Sequence, residues 1–241
     1  MQFTDSHLHL QDYKTKDAQQ IIVDLRAAGF VKVVCAATSP TDWNKVAVFA
    51  GLAPDLVIPA FGLHPWRLAA VSQDWASALK KQLERFPLAW VGECGLDRVK
   101  APSWDGQEEA FAVQISLAKE LSRPLVIHAL KVEDKLARFW RAMPPRFMLH
   151  SFGGSLSFLR AALGYGAYIS LSPAILKRKN YVAIAASVPA ERLLLESDSP
   201  YLSDYRDIPV LAGDLAAIRK TSTAALIAQV NQNFEEFCHG K

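Results

Sequence analysis

The sequence predicts an α/β fold: a single (β/α)₈ TIM barrel over residues 1–241. Three observations predict it. Eight short apolar runs alternate with longer amphipathic stretches along 241 residues, and one barrel of this kind takes about 250. No linker or low-complexity tract interrupts the alternation, so a single domain is expected. Five of the six histidines stand at or just beyond the C-terminal end of an apolar run. An open doubly wound sheet is the structural alternative to closure.

The runs come in order. Phe3 to Leu8 carries His7 and is followed by His9. A helix is expected over Asp17 to Ala28, from Ile21, Ile22 and Leu25 at helical spacing and Gly29 as a stop. The second run is Val31 to Ala37. The third, Leu56 to Leu63, leads into His64. The fourth, Ala89 to Gly92, leads into Glu93, and a helix over Glu108 to Leu121 follows. The fifth, Leu125 to Ile127, leads into His128, and the sixth, Phe147 to Leu149, into His150. A helix over Leu156 to Leu163 precedes the seventh run, Ala167 to Leu171. The eighth is Leu193 to Leu195, with Asp198 just beyond, and one long helix, about Leu215 to Phe237, closes the chain. The runs are short enough for strands buried on both faces.

In a barrel all C-terminal strand ends open on one face, where residues distant in sequence converge. His7 and His9 are spaced by two, so on a strand they share a face and can grip one cation, with Asp5 below them as a supporting partner. A lone histidine is more often a hydrogen-bonded core residue. For His7, His9, Glu93, His128, His150 and Asp198 together that reading needs several coincidences, and burying so many ionisable groups without a cation is costly. Imidazoles with carboxylates suit Zn²⁺, Mn²⁺ or Fe, and Mg²⁺ where oxygen ligands and water complete the shell. Cys94 is expected to be structural, because alternation turns it away from Glu93.

Composition narrows the classes. The three cysteines, Cys35, Cys94 and Cys238, are far apart and form no C-x-x-C pair. This argues against a disulfide scaffold or thiolate cluster and for a reducing, cytoplasmic setting. No signal peptide is visible, and no apolar run approaches the roughly 20 residues of a membrane span. A net charge of +3 is compatible with a polyanionic partner but low for a duplex-coating protein.

Six motifs in the order of one family span residues 5 to 202: Asp5-Ser6-His7-Leu8-His9, Gly62-Leu63-His64-Pro65-Trp66, Gly92-Glu93-Cys94-Gly95-Leu96-Asp97, Pro124-Leu125-Val126-Ile127-His128, His150-Ser151-Phe152-Gly153-Gly154-Ser155 and Glu196-Ser197-Asp198-Ser199-Pro200-Tyr201-Leu202. With these the chain resembles the TatD-like metal-dependent hydrolases of the amidohydrolase superfamily. Asn233-Phe234 in the last helix is similar too. The resemblance implies two divalent cations (Mg²⁺, Mn²⁺ or Zn²⁺), one held by His7, His9, Glu93 and Asp198, the other by Glu93, His128 and His150, with Glu93 bridging. It implies deoxyribonuclease activity on single strands or 3′ ends, with DNA and possibly RNA as partner.

In that scheme the ions activate water, Glu93 and Asp198 act catalytically, and Asp198 takes the water's proton. His64, Trp66 and the Lys177-Arg178-Lys179 cluster are the expected substrate contacts, cations and aromatics being how single strands are held. The family pattern is broken at Ala129-Leu130-Lys131, where Ser-Arg often follows the histidine. It is broken again at Arg98, where an aromatic is common, and after Leu202, where a loop is shortened. Two other functions fit the same residues: a small-molecule ester, lactone or amide hydrolase, and a non-catalytic nucleic-acid-binding component of an assembly.

Overall fold

The computed structural model describes residues 1–240. Eight strands form one sheet in the order of the chain, every neighbouring pair parallel. They are β1 (Phe3–Leu8), β2 (Phe30–Ala36), β3 (Val57–Phe61), β4 (Trp90–Asp97), β5 (Leu125–Leu130), β6 (Phe147–Leu149), β7 (Tyr168–Leu171) and β8 (Leu193–Leu195). The sheet curls back on itself: Asp198 N donates to His7 O at 3.0 Å and His9 N to Ser199 O at 2.7 Å. The expected (β/α)₈ barrel is therefore the fold, and the open sheet is not. The sequential parallel order follows from right-handed crossovers, each returning the chain beside the strand it left.

The crossovers are α1 (Ala18–Ala27), α2 (Pro40–Leu52), α3 (Trp75–Arg85), α4 (Gln107–Glu120), α5 (Glu133–Leu136), α6 (Leu156–Gly164), α7 (Tyr181–Ser187) and α8 (Ile208–Ile218), with α9 (Thr223–His239) at the end. Their starts are legible in the caps. The Asp17 carboxylate accepts from Gln20 N at 2.7 Å, and Ser155 Oγ from Phe158 N at 3.1 Å. The single closing helix expected over Leu215 to Phe237 is two. Lys220 turns to a φ of 52°, and Ser222 Oγ caps α9 by accepting from Ala225 N at 3.1 Å. Apolar periodicity runs through the break. The serine that starts a new helix outweighs it.

Two apolar layers hold the barrel. The outer layer joins the helices to the outward faces of the strands. The inner layer fills the barrel with Val34, Ala36, Ala60, Val126, Met148 and Leu194. At the N-terminal end, Trp90 and Tyr168 meet Phe234 and Phe237 of α9, with ring centroids 4.9 Å apart for both Trp90–Phe237 and Tyr168–Phe237. Asn233 Nδ2 donates to the carbonyls of Ala190 and Leu193 at 2.6 and 2.8 Å, fixing α9 across that end. The barrel is thus plugged below and open above.

Backbones crowd where the upper site begins. Gly95 has a φ of 139°, and a Cβ there would lie 2.1 Å from the carbonyl oxygen of His128. Only glycine lets β4 and β5 approach so closely at that level.

Candidate metal centre

Strand alternation sets the site. Glu93, Gly95 and Asp97 share one face of β4, and His128 stands within β5 rather than after it. The fourth and fifth strands run further than the apolar runs Ala89 to Gly92 and Leu125 to Ile127 indicate, because these polar residues belong to the ladder itself. Cys94 turns the other way, buried, with its thiol directed to Val126 O.

Glu93 is the hub. Its Oε2 lies 3.4 Å from His7 Nε2 and 3.6 Å from His9 Nε2. Its Oε1 lies 2.9 Å from His150 Nε2, 3.1 Å from His128 Nδ1 and 3.2 Å from His64 Nε2. Asp198 Oδ1 completes the first group, 3.3 Å from His9 Nε2 and 3.9 Å from His7 Nε2. All seven side chains are largely or fully buried. One carboxylate therefore presents a different oxygen to each of two imidazole groups. Asp198 is held in place with a φ of 52°, a left-handed conformation that costs a non-glycine residue energy and that recurs at functional sites.

The far nitrogen of each ring sorts the histidines. His9 Nδ1 donates to the carbonyl of Ala36 at 2.8 Å, leaving the Nε2 lone pair free. His150 Nδ1 faces Glu196 Oε1 at 3.2 Å, and His128 Nε2 faces Asp97 Oδ2 at 3.0 Å. In both, the opposite nitrogen faces Glu93, and in the neutral ring whose far nitrogen donates to its carboxylate that nitrogen is the lone pair. His64 is reversed. Its Nδ1 accepts the backbone N–H of Trp66 at 3.2 Å, so in the neutral ring Nε2 carries the proton and is a donor.

The donor set fits cations. Two pairs of imidazole nitrogens face each other, His7 Nε2 with His9 Nε2 at 3.2 Å and His128 Nδ1 with His150 Nε2 at 3.3 Å. Lone pairs so opposed need a proton or a cation between them. His7 Nδ1 is buried with no hydrogen-bond partner, so nothing in the protein fixes that ring's proton. Three sets of potential ligand atoms lie within 4.8 Å of one another: His7–His9–Asp198, His7–Glu93–His150 and His64–Glu93–His128.

The charges agree. Burial pushes the Glu93 carboxyl up, but His64, His150 and His7 outweigh it and hold it well below the usual range. Asp198 is likewise raised by burial and lowered more by His9. Burial lowers His9, yet Asp198 and Glu93 lift it to about 9. Burial lowers His150 as well, and Glu93 with Glu196 more than reverses it. For His64 burial prevails and brings it down to about 4, so it is neutral near pH 7.

Some expectations need correction or addition. Asp5 does not support the imidazole rings. Its carboxylate accepts from His7 N and Ser197 N, both at 3.1 Å, and from Ser197 Oγ at 2.6 Å, joining β1 to the segment after β8. Burial pushes its carboxyl up to about 8. Glu196 and Asp97, which stand behind His150 and His128, carried no role in the sequence reading. The signal was there: each lies an even number of residues from a carboxylate already singled out, Asp198 and Glu93. Of the expected substrate contacts, His64 lies inside the cluster and Trp66 at its rim, its indole N–H donating to Asp97 Oδ2 at 2.6 Å. Arg178 packs against Gly153 and donates to its carbonyl at 2.5 Å, on the loop that follows His150. Lys177 and Lys179 are exposed beside it.

The model of TatD-related DNases matches residues 4–239. The chain belongs to the TatD-related DNase family. A curated relative from Edwardsiella piscicida, "3'-5' ssDNA/RNA exonuclease TatD", is 32% identical over 193 residues, covering 77% of this chain and 74% of the relative. A namesake from Pantoea sp. is 28% identical over 238 residues, covering 90% of this chain and 92% of that one. Among solved structures, a TatD homologue of Escherichia coli superposes with a TM-score of 0.89 at 26% identity, covering 98% of this chain and 97% of that chain. A TatD-family hydrolase of Entamoeba histolytica gives 0.88 at 18% identity, over 100% and 99% of the two chains, which speaks for the fold. No helix among the described residues is long and apolar enough to cross a membrane.

Proposed function

We propose that this TatD-family protein is a metal-dependent deoxyribonuclease, acting as one unit over residues 1–241 on single-stranded DNA or 3′ ends, and on RNA as well. The observation that carries the reading is the division of Glu93, Oε2 towards His7 and His9 and Oε1 towards His128 and His150. Two divalent ions, Mg²⁺, Mn²⁺ or Zn²⁺, would be held by His7, His9, Asp198 and Glu93 on one side and by Glu93, His128 and His150 on the other. Such ions supply Lewis acidity towards phosphate oxygens and bring water's pKa towards neutrality. The chain's residues do the rest. Asp198 Oδ2, the oxygen turned away from His9, takes the proton of the attacking water. His64 Nε2 carries the ring proton, since its Nδ1 is occupied by the Trp66 amide; it faces Glu93 Oε1 at 3.2 Å in the free site and would turn that proton to a phosphate oxygen once Glu93 holds the cations. Trp66 offers a face to a base, and Lys177, Arg178 and Lys179 line the approach of the strand. Names of relatives that act on single-stranded DNA and RNA support the substrate class. Three free cysteines fit work in the reducing cytoplasm.

The test is elemental analysis of the purified protein, then digestion of end-labelled oligonucleotides with each metal restored. Mononucleotide release that disappears in Asp198→Asn is expected. Turnover of chromogenic carboxylic esters in preference to any phosphodiester would overturn the reading in favour of a small-molecule hydrolase.

A further inference from the structure

Beside the cluster, at the loops following β4 and β5, a cavity of about 240 Å³ opens between Asp97, Arg98, Ala101, Ser103, Trp104 and Lys135. Asp97 joins it to the centre. Its Oδ2 meets His128 Nε2 at 3.0 Å and the Trp66 indole at 2.6 Å. Its Oδ1 accepts from the amides of Val99 and Lys100, both at 2.7 Å. That carboxylate is fully engaged by donors of the protein and has no oxygen left for the cavity's cations.

Those cations are under-used. Arg98 meets Asp134 through Nη2 alone, at 3.0 Å to each oxygen, and among the described residues its Nε and Nη1 make no hydrogen bond. Among the described residues Lys135 Nζ makes neither a hydrogen bond nor an ion pair, and lies 5.9 Å from the centre of the Trp104 ring. Arg98 Cζ is 5.8 Å from the same ring. Arg98 and Lys135 are matched in formal charge by Asp134 and Asp97, but Asp97 is turned to His128 and Trp66, so the unused N–H groups of both cations stand together beside one indole in a concave place. Free N–H groups on both make it a receptor for an oxyanion.

We infer that this cavity is a phosphate subsite, taking the phosphate next to the one at Glu93 in a bound nucleic-acid strand, with Trp104 as a wall for the adjoining sugar. One imidazole and one carboxylate, those of His128 and Asp97, separate the two places. The identity of the anion rests on the nuclease reading; the receptor itself does not.

The experiment follows binding, not turnover. A fluorescein-labelled, 5′-phosphorylated hexathymidylate is titrated with the full chain, divalent ions chelated, at several salt concentrations, and anisotropy is read. Lys135→Gln should weaken binding about tenfold, the scale of one hydrogen bond to a charged group. It should also make the slope of log K against log salt shallower by about 0.7, the share of one phosphate on a single strand. Lys135→Arg should restore both. Equal affinity and slope in the native chain and Lys135→Gln would overturn the subsite, as would no saturable binding by the native chain. Binding with the expected slope difference, in a protein that cleaves no diester under any added cation, would support the subsite and sink only the nuclease reading.

Discussion

The two ends of this barrel solve opposite problems with the same eight strands. Below, Trp90, Tyr168, Phe234 and Phe237 exclude water, and their arrangement is satisfied by apolar packing. Above, five imidazoles and two carboxylates are packed at 2.9 to 3.9 Å, with nitrogen lone pairs opposed and one ring nitrogen without a partner. The lower end is complete with the protein's own atoms; the upper end is complete only with something added. That asymmetry separates what folds the chain from what it does, and it can be tested by damaging each end alone.

The largest effect is expected at the hub. Glu93→Ala should lower phosphodiesterase kcat/KM by about 10³-fold or more, the several kcal/mol of charge stabilisation at stake. Melting should show a folded protein, and unfolding of this variant would erase the contrast between the ends. At the plug, Phe237→Ala should cost about 3–5 kcal/mol of stability in denaturant titration. Metal content per folded molecule should stay at the native value; a parallel loss of metal would mean that the two ends are coupled. Behind the site, Glu196→Gln and Asp97→Asn should each reduce metal affinity about 10–100-fold by loosening the rings of His150 and His128, read by competition with a chromogenic chelator. An unchanged affinity would deny these carboxylates their orienting role.

The smallest effect concerns the thiols. Burial pushes Cys35 up to about 12 and raises Cys94 and Cys238 as well. All three stay protonated at pH 8, so iodoacetamide should label them only after denaturation. Rapid labelling of the native protein would show an end that opens.

The eight strands and the convergence of His7, His9, Glu93, His128, His150 and Asp198 on one mouth were legible because apolar runs and the residues at their ends are local signals. The division of the closing helix was less so. Ser222 is a short-range stop inside a stretch whose apolar periodicity continues past it. Glu196, Asp97 and the tautomer of His64 were not read, because each depends on what a side chain meets across the barrel. The Asp5 carboxylate stands two residues from His7, yet it reaches Ser197, 192 positions away. Spacing predicts which face a residue occupies, not which neighbour it meets there.

Around the hub the chain has no spare room. A Cβ at Gly62 would lie 2.6 Å from the carbonyl carbon of Gly92, and one at Gly92 would lie 2.8 Å from Val126. With Gly95, three consecutive strands meet through hydrogen atoms where other barrels place side chains. A side chain at any of the three would have to displace backbone, so altered chemistry in this protein is more readily built by remodelling the loops around the mouth than by changing the floor beneath Glu93.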